Sequence, residues 1–175
     1  MKLFIVRHGD TEHIQKQLVM GWTGSELTAD GKNQANKLAD QLADKKIDLI
    51  ISSDLNRTRQ TAEILSEKLG APLIFDWLLR ERRNGSLENK SNVELDWERY
   101  NIENDKNKKL GIEPISNIVK RAQAFLNGLK FLPVSAKNIV VISHSGFINS
   151  LLFELDNQHR YRKIGHMEII AKEAK

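Results

Sequence analysis

Three short runs of apolar, largely β-branched residues constrain this chain more than any other feature: Leu3-Phe4-Ile5-Val6, Leu49-Ile50-Ile51 and Ile139-Val140-Val141-Ile142. A strand with one wet face alternates apolar and polar residues. A continuous run suits a strand covered on both faces, as in a parallel sheet. The same reading predicts weaker strands at Leu73-Ile74-Phe75 and near Met167-Glu168-Ile169-Ile170.

Helical patterns separate the runs. Ala35, Leu38, Ala39, Leu42 and Ala43 recur at the spacing of one helix face, with Thr28 placed to cap its start. A second helix is predicted from about Asp54 to Leu69, stopping at Gly70 ahead of Pro72. A third begins near Pro114 and carries Ile115, Ile118, Val119, Ala122, Phe125, Leu126 and Leu129, and a fourth follows Gly146 through Leu155. Strands alternating with helices predict an α/β, three-layer sandwich with a mainly parallel central sheet flanked by helices.

With 175 residues, the chain reads as one domain, residues 1–175. Asp76 to Glu113 is polar and irregular, an excursion from the core with a short helix expected around Val93 to Tyr100. No stretch approaches the ~20 apolar residues of a membrane helix. The four-residue apolar run near Met1 is too short for a secretory signal, so a cytoplasmic location and no membrane partner are expected. The chain has no cysteine, which excludes thiolate nucleophiles and zinc knuckles. Lys and Arg number 27 against 23 Asp and Glu, a net charge of +4 that favours anionic partners. The two signs are interspersed and no aromatic-basic pattern appears, so nucleic acid is not expected.

Chemistry gathers where the strands end. Arg7-His8-Gly9-Asp10-Thr11 follows the first run, Ser52-Ser53-Asp54 with Arg57 follows the second, and Ser143-His144-Ser145-Gly146 follows the third. Ligands of open parallel sheets bind beyond the carboxyl ends of strands, so two arginines and two histidines converge on one edge. Together they suit a phosphoryl group. Arginine forks match its oxygens, one imidazole can attack phosphorus, and a second can stabilise the charge that develops. A carboxylic acid is still needed to protonate the leaving oxygen.

Arg7-His8-Gly9 resembles the signature of the histidine phosphatase superfamily, the phosphoglycerate mutase-like proteins. Four further segments are similar in the right order: Gly21-Trp22 with Leu27-Thr28, Gly31, Gln34 and Ala35; Ser52 through Ala62; Arg80-Glu81-Arg82-Arg83-Asn84-Gly85; and Val141-Ile142-Ser143-His144. The resemblance implies His8 as nucleophile, Glu81 as acid and then base, and Arg7, Arg57 and His144 as the phosphate clamp. It implies substrate contacts from Thr11, Gly21, Arg82 and Ser145. It implies no metal and no cofactor, a small phosphorylated metabolite as partner, and is compatible with a homodimer.

The chain departs from the family pattern at Ile14, where many members have asparagine, and at Ser145, where glycine is usual. Asn84 replaces the tyrosine of true mutases and the excursion is shorter, which favours a phosphatase over a mutase. A catalytically silent phosphate-binding module is the third reading. His13, His159 and His166 show no ligand spacing and read as solvated or capping residues. Trp77 and Trp97 read as core or lid packing. Arg80, Arg82 and Arg83 form either a solvated turn or a site for a second anionic group, and Arg160, Arg162 and Lys163 a solvated face.

Overall fold

The computed structural model describes the chain apart from Glu94, Trp97, Glu98, residues 100–102, residues 157–160 and Lys175. Five strands form one sheet in the order β3-β2-β4-β1-β5. They are β1 (Lys2–Arg7), β2 (Leu49–Ser52), β3 (Leu73–Phe75), β4 (Asn138–Ser143) and β5 (Ile169–Glu173). The three strongest apolar runs are the three central strands, and all neighbouring pairs are parallel except β5 against β1.

Side chains alternate across a strand, so each run feeds two cores. Leu3, Ile5, Leu49, Ile51, Ile139 and Val141 face one layer, with Ile118, Ala122, Phe125, Phe147, Ile148 and Leu151. Phe4, Val6, Ile50, Val140 and Ile142 face the other, with Ala35, Leu38, Leu42, Ala62 and Leu65. The first layer is α5 (Ile115–Leu129) and α6 (Ser145–Asp156); the second is α2 (Ala29–Leu42) and α3 (Asn56–Leu69). Two shorter helices, α1 (Glu12–Gln15) and α4 (Asp105–Lys109), lie in the connections. The fold is the expected mixed α/β sandwich. No helix among the described residues is long and apolar enough to cross a membrane.

Local chemistry sets the boundaries. The Thr28 hydroxyl accepts the Gly31 N–H at 3.0 Å and caps α2 as its sequence predicts. Gly70 ends α3 at φ +64°, a left-handed C-cap that glycine reaches without steric cost. β5 begins at Ile169, two residues later than expected, because Met167 turns through φ +56° before the chain extends. α3 begins at Asn56, not Asp54, because the backbone is still extended at Leu55, its N-cap, with φ −72° and ψ 144°.

Trp77 opens a short 3₁₀ turn, Trp77–Leu79, and is 56 % exposed; the buried residue there is Leu79, so the tryptophan is not core. The excursion has its own small cluster of Val19, Leu87 and Ile112. Half of the helix expected around Val93 to Tyr100 lies outside the described residues, as do Trp97, His159 and Arg160.

Candidate active site

Strands β2, β4 and β1 are adjacent and parallel, so their carboxyl ends meet side by side. The register pairs Arg7 with Ser143 and Ser52 with Ile142. His8, Arg57 and His144 therefore arrive together and are almost entirely buried. Arg57, in the first turn of α3, is the hub. Its Nε–H is shared between His8 Nε2 and His144 Nδ1, both at 3.2 Å, while Nη2 and Nη1 donate to the Gly21 carbonyl at 2.8 Å and the Thr23 carbonyl at 3.2 Å. The two imidazole centroids are 5.2 Å apart.

This network assigns the protons. A guanidinium N–H can only donate, so His8 Nε2 and His144 Nδ1 present lone pairs to it. His8 then carries its proton on Nδ1, where the Gly9 carbonyl accepts it at 2.7 Å. His144 carries its own on Nε2, directed to the Ser53 hydroxyl at 3.0 Å. Burial first, then the Arg57 charge, hold both histidines well below the ordinary imidazole value, and the Gly9 carbonyl only partly opposes this at His8. His8 is thus neutral with its Nε2 lone pair turned to the arginine-lined side, the form a nucleophile needs.

Arg57 itself falls to about 10, chiefly through burial, and remains charged at neutral pH. Arg7 binds the Ile164 carbonyl through Nη1 at 2.8 Å, and its buried Nε has no hydrogen-bond partner among the described residues. A buried donor without a partner costs about 1–3 kcal/mol, which a bound anion would recover.

Glu81 stands at the edge of this group, past the Trp77–Leu79 turn. Its Oε1 accepts the Arg82 N–H at 2.8 Å and its Oε2 the Gly146 N–H at 3.2 Å. Gly146 leaves room for this approach: a Cβ there would meet Glu81 Oε1 at 2.5 Å, and the carboxylate would have to shift. The Glu81 carbonyl accepts from Trp22 Nε1 at 2.8 Å, fixing the loop against the segment that also holds Gly21.

The secondary site residues divide. Gly21 contributes through its carbonyl to Arg57, and a side chain there would collide with the Glu88 carboxylate. Thr11 is fully buried; its hydroxyl caps α1 at the Ile14 N–H and donates to the Met20 sulfur, so it serves structure. Arg82 is 8 % exposed and donates from Nε to the Glu113 carbonyl. Arg80 chelates Asp54 at 2.6 and 2.5 Å and lies over the Trp22 ring. Only Arg83 of that run is solvent-exposed. Ser145 begins α6 half-buried, its carbonyl bonded to Asn149 Nδ2 at 2.8 Å.

Three contributors were missed by the sequence reading. Arg121 donates to the carbonyls of Leu78 and Arg80 at 2.6 and 2.7 Å and of Glu81 at 3.3 Å, while paired with Glu113 at 2.9 Å. Its signal was present: it sits on the apolar face of α5, between Ile118 and Ala122. Glu88 accepts from the Trp22 N–H, the Asn84 N–H and the Thr23 hydroxyl, joining two loops with no sequence mark to announce it. His166, read as solvated or capping, instead stacks on His8 at 6.0 Å between centroids. His13 is half-buried and its Nε2 bonds Asn89 Oδ1 at 2.7 Å, away from this cluster.

A buried imidazole bonded by one arginine and beside another, with a second imidazole facing it and a carboxylate at the edge, is an arrangement that suits a phosphoryl group. The sequence pattern of the histidine phosphatase superfamily (branch 1) matches residues 3–169, and the chain belongs to that family. It is 33% identical over 147 residues to "Probable phosphoglycerate mutase GpmB" of Escherichia coli O1:K1, covering 81% of this chain and 68% of the relative.

Among solved structures, a phosphoserine phosphatase from Entamoeba histolytica, in complex with 3-phosphoglyceric acid, is 26% identical with a TM-score of 0.79. That match covers 97% of this chain and 89% of the other. The mycobacterial glucosyl-3-phosphoglycerate phosphatase shares the fold with a TM-score of 0.81 at 22% identity, covering 97% of this chain and 90% of its own. Relatives and structural neighbours thus include both phosphatases and mutase-like proteins.

Proposed function

We propose that this chain is a phosphomonoesterase that works through a phosphohistidine on His8, without a metal, on a small phosphorylated metabolite. The observation that carries the reading is the His8 hydrogen-bond pattern: Nδ1 is engaged by Gly9, leaving Nε2 as the nucleophilic atom beside Arg57. Nε2 attacks phosphorus and the P–N bond forms as the P–O ester bond breaks. Glu81 gives its proton to the departing oxygen. Water, losing a proton to Glu81, then attacks phosphorus and returns His8 as neutral imidazole. Arg7 and Arg57, joined by His144 once protonated, stabilise the equatorial oxygens. These fixed positive groups supply the charge that a metal supplies elsewhere, which supports metal independence.

A mutase that returns the phosphoryl group to product uses the same residues, and the kinship to a mutase-named relative favours it as the second reading. Two structural points weigh toward hydrolysis. Asn84, standing where true mutases resembled by this sequence carry tyrosine, is buried with its amide bonded to the Met20 carbonyl. Arg80 and Arg82, which flank Glu81 in the sequence, are already engaged by Asp54 and the Glu113 carbonyl.

The test is hydrolysis of p-nitrophenyl phosphate in excess EDTA, beside His8→Ala and Glu81→Gln. Turnover that survives EDTA, vanishes in His8→Ala and falls about 10²–10³-fold in Glu81→Gln supports the reading. Turnover only with a bisphosphate primer and an acceptor would replace it with the mutase.

A further inference from the structure

His166 reaches the site on a strap pinned at both ends. The Arg162 backbone exchanges two hydrogen bonds with the Asn149 side chain, each 3.0 Å. Ile164 is fully buried and its carbonyl holds Arg7 Nη1, while the Met167 N–H donates to the Arg7 carbonyl at 3.1 Å. Met167 adopts φ +56°, a left-handed conformation unfavourable for an L side chain. Between these anchors the His166 ring lies 28° from parallel to the nucleophile's, with centroids 6.0 Å apart. Its Nδ1 is 4.0 Å from Asp10 Oδ1. Asp10 is fixed in turn, its Oδ2 accepting from Gln15 Nε2 at 2.9 Å and from the Thr28 hydroxyl at 3.4 Å. A solvated histidine needs none of this.

We propose that His166 is a positioning residue: it holds the His8 ring in the attacking orientation and takes up a proton, shared with Asp10, when a phosphoryl dianion binds. The inference rests on His8 being the nucleophile. Arg7 of β1, His8 and Asp10 of the loop that follows it, and Lys163 of the strap are the charged and titratable groups facing it; Glu168 of the strap is paired with Arg162. In the unliganded chain, burial first and then Arg7 hold the ring neutral, with a pKa of about 4, against the pull of Asp10. A dianion seated on Arg7 offsets that repulsion, and both it and Asp10 then favour the imidazolium. A proton passes from solvent to His166, which makes no bond to phosphorus.

Sulfate tests this, because it has no proton to exchange near neutrality and any proton taken up on binding goes to the protein. Calorimetric titration with sulfate at about pH 6, in two buffers of different ionisation enthalpy, reads the uptake. Wild type should exceed His166→Asn by close to one proton, with Asp10→Asn between them; the contribution of His144 is common to all three. In turnover, His166→Asn should lose about tenfold in kcat with little change in KM. His166→Phe keeps a stacked ring without a titrating proton and should regain part of kcat and none of the uptake. Equal uptake in wild type and His166→Asn overturns the proposal. If the uptake difference appears in a wild type that hydrolyses no phosphomonoester, the phosphatase reading fails while the proton-coupled role of His166 stands.

Discussion

At the scale of single residues, three histidines share one electrostatic fate. Burial and the neighbouring arginines lower His8, His144 and His166 relative to an unfolded histidine near 6.5. Below that pH the unfolded chain binds protons that the native site refuses, so stability is full above about pH 6.5 and falls as the pH drops. Each histidine contributes a slope of about 1.4 kcal/mol per pH unit over its window. The carboxylates held low, such as Asp54 beside Arg80 and Glu168 beside Arg162, titrate below this range and leave pH 6.5 to 5 to the histidines. Urea unfolding at pH 7, 6 and 5 should show the decline, and His166→Asn should flatten it by about one histidine's share. A flat profile in wild type would contradict the burial of neutral imidazoles.

Elements place these residues through their ends. β1, β2 and β4 stop in register, and the helices that follow begin where the strands deliver their chemistry: Arg57 in the first turn of α3, Ser145 and Gly146 in that of α6. Gly146 separates helix stability from catalysis. Alanine is the better helix former by about 1 kcal/mol, yet its Cβ would press on the Glu81 carboxylate. Gly146→Ala should therefore keep or raise the melting temperature while lowering kcat about 10²-fold, as expected for a displaced acid. Thermal unfolding and turnover on one preparation decide it; a parallel loss of both would show a general packing defect instead.

Across the whole molecule, α5 supports the Glu81 segment from within the layer they share, where Leu79 packs with Ile118, Ala122 and Phe125. Arg121 leaves an apolar helix face to bind three carbonyls of the Leu78–Glu81 segment and the half-buried Glu113. Arg121→Met keeps the helix face but strands the Glu113 carboxylate, whose side chain is 12% exposed. The expected cost is about 3–5 kcal/mol in urea unfolding, with kcat falling as the Glu81 loop loosens. Adding Glu113→Gln should restore much of the stability and little of the activity. Recovery of both would assign the arginine to folding alone.

The strand runs determined the sheet by themselves, because a continuous β-branched stretch is stable only when both faces are covered. Strand ends then carried Arg7, His8, Arg57 and His144 to one edge, since each lies within a few residues of the strand that positions it, whereas Glu81 was marked only by the family resemblance of the Arg80–Gly85 segment. Arg121 was half legible, a charge written into an apolar stripe. Tertiary structure alone decided the rest. His166 meets His8 across 158 positions of chain only because β5 returns antiparallel beside β1. Glu88 joins Trp22 to Asn84 only once two loops close on each other. Local sequence records how a segment folds; contacts between distant segments depend on the closure of the whole chain, and no local pattern records them.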